Sequence, residues 1–475
     1  MTKEKYSIEH ATTSSSDDEE IIDKVILAPM VRGSELAFRT MIRRYGIKHC
    51  YSPMLRAVEV VKAYHIWNDE LQLARGRGRG RGRGRLRDSD DFDFLSRIEH
   101  EDGILLVTDI CGRHSHSEDQ GQLTVQLCGC CPDTLFEATQ ILMELQISQN
   151  MKLEGIDLNL GCPQKCAEDG CFGAFLAERQ PTLAAQCVAA MRRAIDNFNP
   201  NTEQNINVHR PRLSCKIRLL DTDNDTISFA EELQAAGCEI ITVHCRHRID
   251  KFNGKPDLIS GKKIVDALSI PVIINGSEVS NVEDVRSTLR KTGAHAVMIA
   301  RAFLTNPGLL QPRPQPQPQR DDDIRLGVDP AFLAAEYLDC CEKYPPPSPL
   351  YIQKHLRWIF RKYLQPERSI RKATYDYNDW RVRLWTFLVR PFLETIFQFR
   401  QVVVLYAKLN GSGLPISLRD QPLPSFKSIK NSRKIDTSVK QEELSNRHAE
   451  NDDDDDEEEE SEEDYQTELL VNLFQ

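Results

Sequence analysis

Cys162 follows a short apolar segment at the point where a buried strand is expected to end. The run from Gly155 to Gln164 reads Gly-Ile-Asp-Leu-Asn-Leu-Gly-Cys-Pro-Gln, so the segment closes on Asn159, a turn glycine and a thiol beside a rigid proline. In α/β folds, side chains at the carboxyl ends of parallel strands build the active site. An unperturbed thiol has a pKa of about 8.5 and stays mostly protonated at neutral pH. Such a thiol can donate a proton, so Cys162 is a candidate catalytic residue, and the equal alternative is a small buried core residue.

Polar residues close several other apolar segments in the same way. They are Gln126, Asn159, Lys216, His244, Asn275 and Arg301. A lysine inside an apolar strand is costly without a negative or polar partner, so Lys216 indicates such a partner unless its ammonium reaches solvent. Barrels commonly hold phosphate after their seventh and eighth strands, where Asn275-Gly276 and Ala300-Arg301 stand. Arg301 suits phosphate, and a surface salt bridge is its alternative.

Two groups of cysteines raise the question of a metal site. They are Cys128, Cys130 and Cys131, and Cys162, Cys166 and Cys171. Structural zinc sites normally use two C-x-x-C pairs at a characteristic spacing, and neither group has that spacing. We therefore predict no metal.

Eight short apolar segments recur along the chain, most of them separated by helical patterns. They are Val25–Met30, Cys50–Met54, Leu123–Cys128, Gly155–Leu160, Ser214–Leu219, Ile240–Cys245, Val272–Asn275 and Ala296–Ala300. Thr134–Ser148 shows the 3.6-residue period of a helix, and Ile227–Gly237 predicts another helix closed by glycine. This alternation fits a (β/α)8 TIM barrel, and a doubly wound sheet is the alternative. Polar residues at so many strand ends favour the barrel, which gathers them at one mouth.

Composition limits the class of protein. The 475 residues are 40% apolar, but no run of about 18 uninterrupted apolar residues occurs, so we expect no membrane-spanning helix. The 14 cysteines are scattered along a long chain, which predicts reduced thiols in the cytoplasm, with the nucleus as a second compartment. The net charge is −11, but residues 450–464 hold 13 acidic side chains, so the rest of the chain carries a net charge of +2. A slightly basic body is compatible with nucleic acid as a partner.

The sequence divides into five parts. Residues 1–20 are expected to be disordered, and residues 21–310 to form the barrel, with a flexible Arg-Gly insert at 75–87. Residues 311–329 form a Pro/Gln-rich linker, residues 330–409 a helical domain, and residues 410–475 a disordered acidic tail. The helical part interleaves basic residues with tryptophans. That combination suits RNA through phosphate contact and stacking, and the alternative is a solvated face around a helical core.

Three motifs together resemble the tRNA-dihydrouridine synthase family. Asn-x-Gly-Cys-Pro at Cys162 is followed by Ala167 and Gly173-Ala174, while Leu27–Val31 and Ser34–Arg39 resemble the family's first strand and helix. The resemblance covers roughly residues 23–310, with a looser match over 330–409. It implies an FMN-binding barrel with a C-terminal helical tRNA-binding domain. The implied reaction is reduction of D-loop uridines, at positions 16/17 or 20a/20b of cytoplasmic tRNA, with NADPH or NADH as reductant.

The resemblance also implies roles for single residues. Cys162 is the catalytic acid that protonates C5 of uridine, while the reduced flavin delivers hydride to C6. Asn159 and Arg246 bind the substrate. The residues that bind FMN are Ala28, Pro29, Met30, Gln126, Lys216, His244, Asn275, Gly276, Ala300 and Arg301. The first three of these back the flavin ring, Gln126 bonds its pyrimidine edge, and Arg301 contacts the phosphate.

The chain departs from the family at three positions near these contacts. Members usually have glycine where Cys245 and Ala302 stand, and Asp or another polar residue in place of Ser277. We expect Cys245 and Ala302 to add bulk beside the cofactor. We also expect a monomer that binds neither membrane nor metal. Two other classes remain, an FMN barrel acting on a small molecule and a non-catalytic RNA-binding protein on a decayed barrel.

Overall fold

Nine parallel strands form one sheet in the computed structural model, which describes residues 16–65, 122–148, 153–198, 209–311 and 330–361. The strands are β1 (Val25–Leu27), β2 (His49–Tyr51), β3 (Leu55–Arg56), β4 (Leu123–Cys128), β5 (Leu153–Leu160), β6 (Arg212–Leu219), β7 (Ile240–His247), β8 (Val272–Asn275) and β9 (Ala296–Ile299). Most of their residues are buried, as strands covered by helices on the outside and filled on the inside require.

The sheet closes on itself. β1 lies between β2 and β9, with Ile26 opposite both His49 and Met298. β2 also pairs with the beginning of β4, where Cys50 lies opposite Leu123. β3 follows β2 in the chain and pairs with the end of the same strand, where Leu55 lies opposite Leu127. Counting β2 and β3 as one interrupted strand, the barrel has eight strands in the order in which they were predicted. The closure confirms the (β/α)8 fold and rules out the open, doubly wound sheet.

Helices follow most of the strands. They are α1 (Ser16–Ile22), α2 (Leu36–Arg44), α3 (described over residues 57–65), α4 (Pro132–Ser148), α5 (Lys165–Asp169), α6 (Gly173–Arg179), α7 (Pro181–Asn197), α8 (Asp223–Ala235), α9 (Leu258–Ala267), α10 (Val282–Thr292), α11 (Arg301–Thr305), α12 (Pro330–Lys343) and α13 (Pro349–Ile359). The two predicted helices are α4 and α8. The second begins four residues earlier than expected because the Thr222 side chain caps it, accepting from Asp225 N at 3.1 Å.

The inside of the barrel has an apolar half and a polar half. Strands β1, β8 and β9 turn apolar side chains inward, among them Ile26, Ile273 and Met298. Strands β4 to β7 instead bury polar side chains at every second position. These are Thr124, Gln126, Asp157, Asn159, Ser214, Arg218, Thr242, His244 and Arg246. Buried polar groups need hydrogen-bond partners, so this half is where a site is expected.

The two C-terminal helices pack against the start of α2. Glu35 precedes α2 and accepts a hydrogen bond from Tyr337 Oη at 2.8 Å, while His355 Nε2 lies 3.0 Å from its other oxygen. All three side chains are fully buried, and Phe38 stacks on His355 with ring centroids 4.4 Å apart. These contacts fix helices α12 and α13 to the segment that follows β1.

The N-terminal stretch differs from expectation. Residues 16–22, partly inside the predicted disordered region 1–20, form α1. Its acidic first turn suits a helix N-terminus, and Asp18 pairs with Arg286 at 2.8 Å. Ile21 and Ile22 pack against the core around α2, which supplies the apolar burial that composition alone did not indicate.

Several predicted regions lie outside the described residues. They are the Arg-Gly insert, nearly all of the Pro/Gln-rich linker, the helical part beyond residue 361 and the acidic tail. Apart from residues 252–254, the described residues belong to one compact unit. None of the helices within the described ranges is long and apolar enough to cross a membrane.

Candidate active site at the carboxyl end of the barrel

The loop after β5 holds Cys162 from both sides. Asn159 Oδ1 accepts the backbone N–H groups of Gly161 at 3.2 Å and Cys162 at 3.0 Å. On the other side, Ala174 N donates to Cys162 O at 3.1 Å. Gly173 has φ +63°, and a Cβ there would lie 2.8 Å from Cys162 O, so only glycine allows this approach. The sequence motif therefore builds a rigid thiol position.

The Cys162 thiol is partly buried and protonated. A hydrogen bond with Cys166 and burial raise its pKa well above the ordinary value. A thiol in this state can give a proton and is a poor nucleophile. The 13 cysteines within the described ranges are all free of disulfides, and no three potential metal ligands cluster among those residues. The surroundings of Cys162 thus keep the thiol in the protonated form that a proton donor needs.

A polar line that sequence reasoning did not identify runs beside this loop. Asp157 accepts from Gln126 Nε2 at 2.8 Å and from Ser214 Oγ at 2.6 Å. Gln126 Oε1 accepts in turn from Asn159 Nδ2 at 2.9 Å. The signal was the alternation along β5, where residues 155, 157 and 159 share the inward face. Gln126 and Asn159 keep one amide hydrogen each for a ligand, and their predicted ligand contacts stay predictions.

Cationic groups converge at the ends of β6, β7 and β9. Burial, with Arg218 nearby, lowers the pKa of Lys216 to about 8. Burial also lowers the pKa of Arg218 to about 10, and the side chains of Arg246 and Arg301 add to this effect. The same cations and burial push the pKa of His244 well below its ordinary value. His244 is therefore neutral beside several positive charges, an arrangement that attracts an anion.

Two polar groups in this cluster have no hydrogen-bond partner within the described ranges. The Lys216 ammonium makes no hydrogen bond with a described residue, although the Asp157 carboxylate attracts it and opposes the fall of its pKa. The Ser277 hydroxyl is buried and lacks a hydrogen-bond partner there as well. Buried polar groups are normally satisfied, so both indicate room for a polar ligand. A phosphate or an anionic ring system fits the charge of the cluster.

Gly276 allows the backbone to approach this cluster. Its φ is +96°, and a Cβ at this position would lie 2.6 Å from His244 Cδ2 and 2.8 Å from Arg246 Nη1. Arg246 Nη1 donates to Gly276 O at 2.9 Å and lies 3.2 Å from His244 Nε2. Because the guanidinium can only donate, Nε2 of His244 is the acceptor and its proton sits on Nδ1. The predicted residues His244, Arg246 and Gly276 therefore lie together.

The remaining predicted residues border the same mouth. Ala28 N donates to Ile299 O at 2.9 Å, and Met30 N donates to Ser34 Oγ at 3.0 Å, so the Ala28–Met30 turn is held between β9 and α2. Asn275 Nδ2 donates to Met298 O at 2.9 Å, a link between β8 and β9. Ala300 precedes α11, which Arg301 begins. Most predicted residues lie near a strand end or in the loop that follows one, whereas Gln126, Lys216 and His244 lie within their strands.

The expected bulk of Cys245 beside the cofactor is wrong. Its side chain is fully buried and points away from the barrel interior, toward the outer helix α9. A Cβ on Gly261 of that helix would lie 2.8 Å from the Cys245 sulfur. His244 and Arg246 point inward, so strand alternation turns the residue between them outward. Cys245 is therefore a core residue.

Comparison with known proteins gives a consistent set of relatives. A family model described as dihydrouridine synthase (Dus) matches residues 104–390. A mouse protein named tRNA-dihydrouridine(16/17) synthase [NAD(P)(+)]-like is 30% identical over 349 residues, 73% of this chain and 57% of that protein. A human protein named tRNA-dihydrouridine(20a/20b) synthase [NAD(P)+]-like is 28% identical over 285 residues, 60% of this chain and 69% of that protein. The chain thus spans little more than half the length of the mouse relative.

Solved structures are much less similar. Morphinone reductase aligns with 64% of this chain and 91% of its own at 12% sequence identity, with a TM-score of 0.35. The fold assignment therefore rests on the closed strand order described above.

Proposed function

This chain belongs to the dihydrouridine synthase family, and we propose that it reduces the C5=C6 bond of specific D-loop uridines in tRNA to 5,6-dihydrouridine. The proposal takes FMN as the cofactor and NADPH or NADH as the reductant. The names of the mouse and human relatives, which specify positions 16/17 and 20a/20b, support a D-loop target.

One observation carries the proposal: a protonated thiol held at a fixed place beside a cationic cluster at the same barrel mouth. Cys162 is anchored by Asn159 through the 3.0 Å hydrogen bond and keeps its proton because of Cys166 and burial. Reduction of the C5=C6 bond, which is conjugated with the C4 carbonyl, needs one hydride donor and one proton donor. Cys162 supplies the proton that C5 of uridine receives.

The residues of the cluster suit FMN. Gly276, Ser277 and Arg301 would hold the phosphate, while Lys216 and His244 would lie against the ring system and ribityl chain. FMN, when bound, supplies the hydride that the reductant has given to it. Lys216 would balance the negative charge of the reduced ring, because its ammonium has no other hydrogen-bond partner among the described residues. The Ala28–Met30 turn would close the opposite side.

Helix α13 offers a surface for tRNA next to the mouth. Lys354 Nζ donates to Val31 O at 3.2 Å, which places this helix beside the segment after Met30. The Arg361 guanidinium lies 4.7 Å from the centre of the Trp358 ring. Basic and aromatic side chains together suit phosphate contact and base stacking. We further propose a monomer that works in a reducing compartment, the cytoplasm or the nucleus, in keeping with its free thiols.

The experiment that tests the proposed function maps new dihydrouridine. Purified full-length protein, FMN and NADPH are added to total tRNA that lacks the modification, and each tRNA is sequenced for dihydrouridine. The expected result is new dihydrouridine at D-loop positions. A yellow protein that oxidises NADPH but leaves tRNA unchanged would favour a small-molecule substrate. A colourless protein would favour non-catalytic RNA binding.

A further inference from the structure

Four buried polar side chains form a continuous line that ends at the Cys162 loop. Asp157 accepts from Ser214 Oγ at 2.6 Å and from Gln126 Nε2 at 2.8 Å. Asn159 Nδ2 donates to Gln126 Oε1 at 2.9 Å, and Asn159 Oδ1 accepts from Cys162 N at 3.0 Å. None of the four side chains is more than 8% exposed. The line therefore connects the interior of the barrel to the backbone that carries the thiol.

This line can run in one sense only. An ionised carboxylate accepts hydrogen bonds and cannot donate, whereas a backbone N–H donates and cannot accept. Between Asp157 and the Cys162 N–H stand two amide side chains, each with a donor end and an acceptor end. If the amide group of Gln126 or Asn159 were turned by half a turn, its oxygen would face another acceptor, or its NH2 group would face another donor. Asp157 at one end and the Cys162 N–H at the other together determine which end of Gln126 faces Asn159.

We propose that Asp157 is a positioning residue for the proton donor, because it orders the Gln126 and Asn159 amides and through them holds Cys162 in place. The catalytic meaning of this role rests on the proposed function, whereas the ordering of the amides does not. Burial raises the pKa of Asp157 to about 6, so the carboxylate is mainly ionised at neutral pH and accepts at both oxygens.

Replacing the carboxylate with an amide of the same size breaks this order. In Asp157→Asn, the new NH2 group can face Gln126, where it meets another NH2 group. It can instead face Ser214, whose hydroxyl then loses the acceptor that it has in the native chain. The first orientation sets hydrogen against hydrogen, and in the second the Ser214 hydroxyl must turn toward Tyr51 while Gln126 keeps only a neutral acceptor, which is weaker than a carboxylate. The amide order then relaxes, and the loop that carries Cys162 loosens.

The test measures the reactivity of Cys162 in full-length, flavin-loaded protein without tRNA. Iodoacetamide labels the thiols, and peptide mass spectrometry gives the labelling rate of Cys162 relative to exposed Cys131 on the same molecules. In Asp157→Asn we expect this ratio to rise at least about fivefold, because the loop loses its anchor. The matched control is Asp257→Asn, which exchanges one good helix-capping residue for another and should change the ratio by less than about twofold.

A second variant restores the order and should restore the ratio. In Gln126→Glu combined with Asp157→Asn, the carboxylate moves one place along the line. It then accepts from the new amide on one side and from Asn159 on the other, while Ser214 donates to the new amide oxygen. Because Gln126 is also a predicted flavin contact, this comparison uses flavin-free wild type, single and double variants, and we expect the ratio of the double variant to return to within about twofold of the wild-type value. A role that depended only on charge or size at position 157 does not predict this rescue.

The outcomes separate the inference from the proposed function. An unchanged ratio in Asp157→Asn, with flavin retained, overturns the inference, as does a double variant no closer to wild type than the single one. If Asp157→Asn fails to fold, the double variant must fold and give the wild-type ratio, since its order is complete; failure to fold also counts against the inference. A wild-type protein that leaves tRNA unchanged overturns the proposed function and leaves this measurement intact.

Discussion

The amide oxygen of Asn159 lies 3.0 Å from the backbone nitrogen of Cys162 and accepts its hydrogen bond. The same oxygen accepts from Gly161 N at 3.2 Å. Because Asn159 is the penultimate residue of strand β5, the position of the thiol is tied directly to the barrel wall. A side chain near the end of the strand therefore places the candidate acid three residues later.

Removing this anchor should cost both stability and turnover. Asn159→Ala leaves the N–H groups of Gly161 and Cys162 without their acceptor, at a cost of about 1–3 kcal/mol in the free energy of unfolding. Urea denaturation measures this loss. Asn281→Ala is the control, because Asn281 caps α10 through Asp284 N and its loss costs about 1 kcal/mol. We expect only Asn159→Ala to slow tRNA reduction; equal turnover of the two variants would contradict the anchoring role.

Lys216 should make the stability of the flavin-free protein depend on pH. Its pKa is lowered to about 8 in the folded state, against about 10.4 in the unfolded chain. Between these values the unfolded chain binds a proton that the folded protein does not, so Lys216 makes the free energy of unfolding rise with pH. The difference between wild type and Lys216→Met, measured by urea denaturation across this range, should follow the same trend. A difference that does not vary with pH would argue against the lowered pKa of this ammonium.

Gly276 should be essential for cofactor affinity. Gly276→Ala combines a positive φ with a Cβ 2.6 Å from His244, so the ring and the neighbouring Arg246 must move. We expect the Kd for FMN, measured by fluorescence titration, to rise at least about tenfold. Gly293→Ala is the control, because its φ is +70° but the nearest atom to its Cβ is 3.8 Å away. It should lose about 1–2 kcal/mol of stability and keep FMN affinity, so similar affinity losses would refute the specific role of Gly276.

Glu35 should be a major stabilising residue of the helical part. Glu35→Ala leaves the buried Tyr337 hydroxyl and His355 Nε2 without their partner, so we expect a loss of about 1–3 kcal/mol by urea denaturation at pH 7. Contact with His355 and Tyr337 outweighs burial and lowers the pKa of Glu35. The ionised Glu35 therefore contributes to the free energy of unfolding above about pH 4.3, the pKa of a glutamate in the unfolded chain. This contribution is lost as the pH falls through the lower pKa that Glu35 has in the folded protein. Asp266→Ala, which breaks an exposed pair with Lys262, should cost at most about 0.5 kcal/mol. Equal losses in the two variants would contradict the buried contact.

The sequence predicts those parts of the site that leave a local pattern. Cys162, Lys216 and His244 each end or interrupt an apolar segment, and the closed barrel brings them to one mouth. Asp157 was read as part of an apolar strand, although its alternation with Ile156 and Leu158 marks it as inward-facing. The same alternation turns Cys245 outward. The glycine that the family usually has at this position does not indicate that direction.

Long-range contacts leave no such pattern. Glu35 meets Tyr337 and His355 from positions 302 and 320 residues away in the chain. Nothing local in the three segments marks them as partners, because each reads as an ordinary helix position. Helix α1 was missed for a related reason, since its two isoleucines are stabilised by a core built from distant residues.

The central claim is that Cys162 donates the proton, and a single-turnover comparison tests it most directly. Wild type and Cys162→Ala are loaded with FMN, reduced with NADPH without oxygen and mixed with tRNA that lacks dihydrouridine. Both proteins should hold FMN and accept reduction at similar rates. Wild-type flavin should then be reoxidised as dihydrouridine forms, whereas the variant should be slower by at least about a hundredfold. Equal reoxidation and equal dihydrouridine formation by the two proteins would contradict the assignment of Cys162 as the acid.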